Sequence, residues 1–131
     1  MKKKVVTIAK RKTTIASGVI TDGEGKVFIN KKSLSSYQDR LFRLIAEEPL
    51  VIASDLAGKY NIDITVRGGG TVSRAQAIRS VIAKSLSRKE KSLKKRFMEY
   101  DRSLLVDDKR QTEAQKPYRS AARALKQTSY R

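Results

Sequence analysis

Between Tyr60 and Leu86 the chain changes its hydrophobic period once, and that change restricts the fold more than any other feature. Tyr60, Ile62, Ile64 and Val66 alternate with Asn61, Asp63, Thr65 and Arg67, the two-residue period of a strand with one face in a core. Gly68-Gly69-Gly70 ends the alternation. Ser73 with Gln76 then forms a capping box for a helix that carries Ile78, Val81, Ile82 and Leu86 along one side. A strand, a glycine turn and a helix thus follow one another directly.

The rest of the chain supplies partners for that unit. Val5 to Ala9 and Ile15 to Thr21 read as short strands, and Asp22-Gly23-Glu24-Gly25 provides turn chemistry before a third run, Lys26 to Asn30, which makes a hairpin or meander. Ser36, with Asp39 three residues on, is the expected cap of a helix carrying Tyr37, Leu41, Leu44 and Ile45, which Pro49 is expected to stop. Leu50 to Ala53 fits either element type. A second, basic helix over about 89–100 places Leu93 and Phe97 four apart. After Leu104-Leu105-Val106 only scattered Ala, one Leu and Tyr interrupt the polar residues, too little apolar surface to offset the entropy of ordering. The expected organisation is a globular domain over 1–106 and a basic C-terminal extension over 107–131 that is disordered until bound.

Charge names the class of partner. Lys and Arg number 30 against 13 Asp and Glu, a net +17 on 131 residues, and a charge of that size repels itself in the free protein. It is unevenly placed: residues 1–12 hold six basic and no acidic residues, residues 13–66 carry a net −1, and residues 67–131 hold eighteen basic against six acidic. A polyanion is the natural partner. Nucleic acid is favoured over membrane, because no run approaches the roughly 20 apolar residues of a spanning helix and no basic amphipathic helix dominates. Nor does the start read as a signal peptide, since charge returns at Lys10 directly after Val5 to Ala9. With no Cys and no His, the usual zinc ligands, thiol nucleophiles and commonest general base are all missing. Neither cofactor, metal nor small-molecule substrate is expected.

Three motifs remain. Gly68-Gly69-Gly70 before a helix suits a cradle for phosphate and equally a tight turn, but lacks the Lys-Ser/Thr of a P-loop and the third spaced glycine of a dinucleotide loop. Lys10-Arg11-Lys12 falls between two strands, at a tip with no acidic residue nearby, which favours contact with RNA over a merely solvated run. Tyr118 and Tyr130 stand among Lys116, Arg119, Arg123, Lys126 and Arg131, a pattern in which rings stack on bases while cations hold phosphates. Asp107, Asp108 and Glu113 invite a metal or hydrolytic reading, but neighbours on an exposed segment are better read as partners of Lys109 and Arg110. An enzyme would have to use Arg67, Arg74 and Asp63 around the glycines, with no base or nucleophile to complete the site. A free nucleic-acid architectural protein is the other alternative.

Taken in order, Lys10-Arg11-Lys12-Thr13 with Ala16 and Gly18, Val66-Arg67-Gly68-Gly69-Gly70, Ser73-Arg74-Ala75-Gln76-Ala77-Ile78-Arg79, Asp101-Arg102 and Gln127-Thr128-Ser129-Tyr130-Arg131 resemble the universal ninth protein family of the small ribosomal subunit. The Ser-Tyr-Arg ending is similar to the archaeal and eukaryotic branch. The resemblance implies a structural, non-enzymatic protein of the cytoplasmic ribosome, with a single small α+β domain, its mixed sheet covered by helices on one face, and a left-handed βαβ crossover. It implies as partners a 16S-type ribosomal RNA, neighbouring proteins of the small-subunit head, and P-site transfer RNA at its anticodon stem-loop. The residues expected on ribosomal RNA are Lys10, Arg11, Lys12, Arg67, Gly68, Gly69, Gly70, Arg74, Arg79, Arg102, Lys109, Arg110, Lys116, Arg119, Arg123 and Lys126. Those expected on transfer RNA are Ser129, Tyr130 and Arg131. The chain departs from the family over 115–126, where many relatives carry further glycines.

Overall fold

The computed structural model describes residues 4–125 and Ser129. Five strands form one mixed sheet: β1 Val5–Arg11, β2 Thr14–Asp22, β3 Val27–Ile29, β4 Lys32–Ser33 and β5 Tyr60–Arg67, in the spatial order β1-β2-β5-β3-β4. β2 pairs antiparallel with both β1 and β5, while β3 runs parallel to β5. Parallel strands need a crossover. It is made by α1 Arg40–Ile52 and α2 Ser54–Ala57, after a short 3₁₀ turn at Leu34–Ser36. Two further helices, α3 Thr71–Lys89 and α4 Lys91–Tyr100, and a 3₁₀ turn at Arg102–Leu104 complete the fold.

The expected period change is present. Ile62, Ile64 and Val66 are buried while Asp63, Thr65 and Arg67 are exposed, and α3 buries Ile78, Val81, Ile82 and Leu86 completely. α3 lies across β1 and β2, and small residues are buried in both: Ala9 and Ala16 in the strands, with Gly18 beneath Val81, and Ala75, Ala77, Ser80, Ala83 and Ser85 in the helix. A Cβ on Gly18 would collide with Val81 Cγ1, so this glycine sets how closely helix and sheet approach. α1 packs on α3, Leu93 and Phe97 seat α4, and fully buried Leu104 pins the last turn. The other face of the sheet bears Val6, Ile8 and Ile15, each at least half exposed.

Four expectations about ends and faces are corrected. α1 is capped by Asp39, whose carboxylate accepts from the amides of Leu41 (3.0 Å) and Phe42 (3.3 Å); Ser36 lies in the preceding 3₁₀ turn, where its hydroxyl donates to Ser33 O. Pro49 does not stop α1. It lacks only the N–H that would reach Ile45, and with its ring buried the helix runs on to Ile52, taking in Leu50 to Ile52. The buried face is accordingly Phe42, Ala46 and Pro49, whereas Leu41 and Leu44 face outward. Finally, α3 starts at Thr71 behind Gly70, with no side-chain cap, because Gly68 (φ 76°) and Gly69 (φ 68°) complete the reversal before Ser73 is reached.

Asn30 ties the crossover in place. Asn30 and Lys31 both take positive φ (48° and 68°) in a two-residue turn between β3 and β4, a conformation Asn tolerates well. Its side-chain oxygen accepts from Val66 N at 3.0 Å, and its own amide donates to Ile64 O at 2.8 Å, extending the pairing with β5.

Gly18→Ala is expected to destabilise the fold by about 1–3 kcal/mol, the usual result of overpacking. Gly70→Ala, where a side chain meets open space at φ −88°, is expected to change it by less than about 1 kcal/mol. Urea unfolding of the two variants measures the difference.

Candidate nucleic-acid interface

Antiparallel pairing of β2 with both neighbours brings the basic motifs to one end of the sheet. Arg11 pairs with Thr14 across the β1–β2 turn, and Ile15 pairs with Arg67, so Lys12 and Thr13 lie beside the glycines that follow β5. The contact is tight: a Cβ on Gly68 would stand 2.8 Å from Thr13 O, and one on Gly69 would overlap the Thr14 hydroxyl. Thr14 Oγ1 donates to Gly68 O at 3.2 Å, and Arg74 Nε donates to the same carbonyl at 3.0 Å. Lys10, Lys12, Arg67 and Arg74 are all exposed here, and none is ion-paired with a described carboxylate. Lys12 holds the turn in a left-handed conformation (φ 52°).

Two expected contact residues are placed otherwise. Arg11 points inward and is only 7% exposed; its guanidinium donates to Ser80 Oγ, Ser103 O, Val106 O and Lys10 O, so its donors are already engaged within the chain. Strand alternation explains this, because Thr7, Ala9 and Arg11 share the core face. Arg79 is enclosed by Glu48, which accepts from Nε, by Asp101 Oδ2 at 3.0 Å and by Ser103 Oγ at 3.2 Å. Burial alone disfavours its charge, but its bonds to Asp101 and Glu48 hold its pKa above the ordinary value.

Other cations are also occupied, in ways the sequence reading missed. Lys84 and Arg88, one helical turn apart on α3, guard the open edge of β1: Lys84 Nζ donates to Ile8 O (3.2 Å) and Arg88 Nη1 to Val6 O (2.6 Å). Their signal was the four-residue spacing beside the apolar stripe of α3. Arg96 forks onto Asp55, and Lys89 reaches Asp22 at 3.5 Å.

Arg102, in the last turn of the domain, and Lys109, in the extension, are exposed. The three acidic residues go to separate cations: Asp107 to Lys84 (2.6 Å), Asp108 to Arg110 (2.7 Å), and Glu113 to Lys116 (2.7 Å) and Arg123 (2.8 Å). The Arg110 bonds pull the Asp108 carboxyl far below the usual carboxylate range, and Lys116 with Arg123 lowers that of Glu113. Among the described residues no group of three side chains suited to a metal ion is assembled. Gln115 Nε2 donates to Arg119 O and Ser120 O, closing a loop whose Tyr118 is 96% exposed at φ 63°. Ser129 is exposed, whereas Lys126, Tyr130 and Arg131 lie outside the described residues. Asp63 and Arg67, named for an enzyme site, lie on the outward sheet face, and no described helix is long and apolar enough to cross a membrane.

Residues 9–131 match the family model described as ribosomal protein S9/S16. The small ribosomal subunit protein uS9 of Methanococcus vannielii is 41% identical over 133 residues, covering 98% of this chain and 99% of that protein. The protein of the same name from Methanococcus maripaludis strain C7 is 39% identical with the same coverage.

Arg79→Met is expected to destabilise the fold by about 2 kcal/mol at neutral pH, since it strands Glu48 and Asp101, whose partial exposure softens the loss. The Asp101 carboxyl is held below its ordinary 3.8, by the Ser103 amide first and Arg79 next. A depressed carboxylate stabilises fully above its unfolded value and loses that contribution as pH falls through its folded one. The gap between wild type and variant should therefore narrow below about pH 3.8, as read by urea titrations at successive pH values.

Proposed function

The chain belongs to the ribosomal protein S9/S16 family, and from that premise we propose that it binds the ribosomal RNA of the small-subunit head and carries its C-terminal end to P-site transfer RNA. A structural part in the small ribosomal subunit follows from the family; catalysis does not. Its place of work is the ribosome.

One observation carries the RNA reading: Lys10, Lys12, Arg67 and Arg74 gather around the Gly68–Gly69 turn, exposed and without a described carboxylate partner. Cations that the fold does not neutralise are available to phosphates, and each phosphate contact releases counterions from RNA. Gly68, Gly69 and Gly70 add backbone that a phosphate can approach closely at the start of α3. Arg102 and Lys109 continue this surface, and Arg110, Lys116, Arg119, Arg123 and Lys126 extend it. Several of these are engaged only in exposed pairs, which contribute little to the fold and which phosphate can replace. The 1–106 domain thus anchors, and the 107–131 extension orders fully on RNA. Leu41, Leu44 and Val51, exposed along α1, suit contact with a neighbouring head protein.

For the extension the warrant is the resemblance of its final residues to the family, which puts Ser129, Tyr130 and Arg131 at the anticodon stem-loop. Tyr118, almost wholly exposed, offers a ring for stacking on a base of ribosomal RNA.

Salt titration tests both halves together. Affinity of the chain for small-subunit ribosomal RNA should fall steeply, by about 0.7–0.9 logarithmic units per tenfold rise in salt for each phosphate met. A variant lacking 129–131 should keep that slope, yet hold P-site transfer RNA severalfold more weakly in reconstituted subunits. A flat salt response contradicts the first half, and unchanged transfer RNA affinity the second.

A further inference from the structure

Once Leu104 and Leu105 have packed against the core, polar contacts fix the direction in which the extension leaves the domain. Arg11 supplies most of them. Its Nη2 donates to Ser103 O at 2.6 Å, to Val106 O at 3.2 Å and to Ser80 Oγ at 3.2 Å. Its Nη1 donates to Lys10 O at 3.0 Å and stands 4.0 Å from Asp107 Oδ1. Asp107 is held from a second side by Lys84 at 2.6 Å, and Lys84 is itself fixed to Ile8 O. Residues more than ninety positions apart in sequence are thus tied through one buried fork. Lysine would not replace it: an ammonium on a flexible stem lacks the planar set of donors that meets two carbonyls and a hydroxyl together.

The mooring has a consequence further along the chain. Gln111 and Thr112 face Lys10, Lys12, Thr13 and Ile15 across a cleft of about 330 Å³, so the extension forms one wall and the β1–β2 turn the other. A cleft near the lower end of the ligand-sized range, roughly 300–1,000 Å³, has room for a nucleotide of a single strand. Its two lysines suit phosphate, and its hydroxyls and amide suit a ribose 2′-hydroxyl or a base edge.

We propose that Arg11 is a positioning residue: it touches no RNA, but holds the root of the extension opposite the β1–β2 turn so that one single-stranded RNA segment is gripped between them. This rests on the RNA-binding reading above and deepens it. The order at the root belongs to the free protein.

The chain has no cysteine, so spin labels at Lys94→Cys on α4 and Ala114→Cys on the extension report the mooring by pulsed electron resonance, alongside binding of a single-stranded oligoribonucleotide. The full chain with Arg11 should give a narrow distance distribution. Arg11→Met and Arg11→Lys should broaden it and weaken RNA binding about tenfold, with the circular dichroism of the fold retained. If Arg11→Met does not fold, Lys84→Met with Asp107→Asn, which leaves Arg11 in place, should broaden the distribution part-way. An unchanged distribution in the folded variants overturns the proposal. So does weakened binding at unchanged distance, which would make Arg11 a direct contact. Broadening in a chain that never binds the oligoribonucleotide would overturn the RNA role while leaving the mooring, so the two failures are told apart.

Discussion

A net charge of +17 around a small aliphatic core repels itself, and the fold holds because part of that charge is tied to acceptors the chain provides. Arg11 sits among backbone carbonyls, Arg79 between two carboxylates, and Lys84 and Arg88 on the open edge of β1. Each replaces water at a polar group that would otherwise be left wanting, and such groups are costly when unsatisfied. Only what remains after these bonds is available to a polyanion. The division between internal and external cations is therefore the fact from which both stability and function follow.

The geometry that makes the division useful begins at β2. Its antiparallel pairing with β1 and β5 places the Lys12 turn against Gly68 and Gly69, and Gly18 lets α3 settle close enough for Ser80 and Lys84 to reach Arg11 and β1. The same closeness brings the 103–107 segment under Arg11. Exposed cations from the turn, the glycines and the extension then share one end of the molecule. A compact hydrophobic contact between helix and sheet in this way sets the layout of an electrostatic surface.

Much of this was legible beforehand. The alternation of Tyr60 to Arg67, the glycine break and the stripe Ile78, Val81, Ile82, Leu86 specified β5 and α3, because period depends on local spacing alone. Family motifs spread along the chain identified its class. What was not legible depends on tertiary contact. Arg11 belonged to a basic run by composition, yet its position in β1 turns it inward, as counting alternation from Thr7 and Ala9 would have indicated. Pro49 reads as a helix stop in isolation, but its buried ring and three following residues keep α1 intact. Asp39 outcompeted Ser36 as cap because its carboxylate reaches two amides at the first turn. Nothing local distinguishes Lys84 and Arg88 from solvated lysines and arginines until β1 lies beside them.

The most direct test of the division is residue-resolved acylation of lysines, comparing the free chain with the chain in assembled small subunits. Lys84, whose side chain is 17% exposed, should react slowly in both states. Lys10, Lys12 and Lys109 should react readily in the free chain and be protected in the subunit. Equal reactivity of Lys10 and Lys12 in the two states, or rapid reaction of Lys84 in the folded free chain, would contradict it.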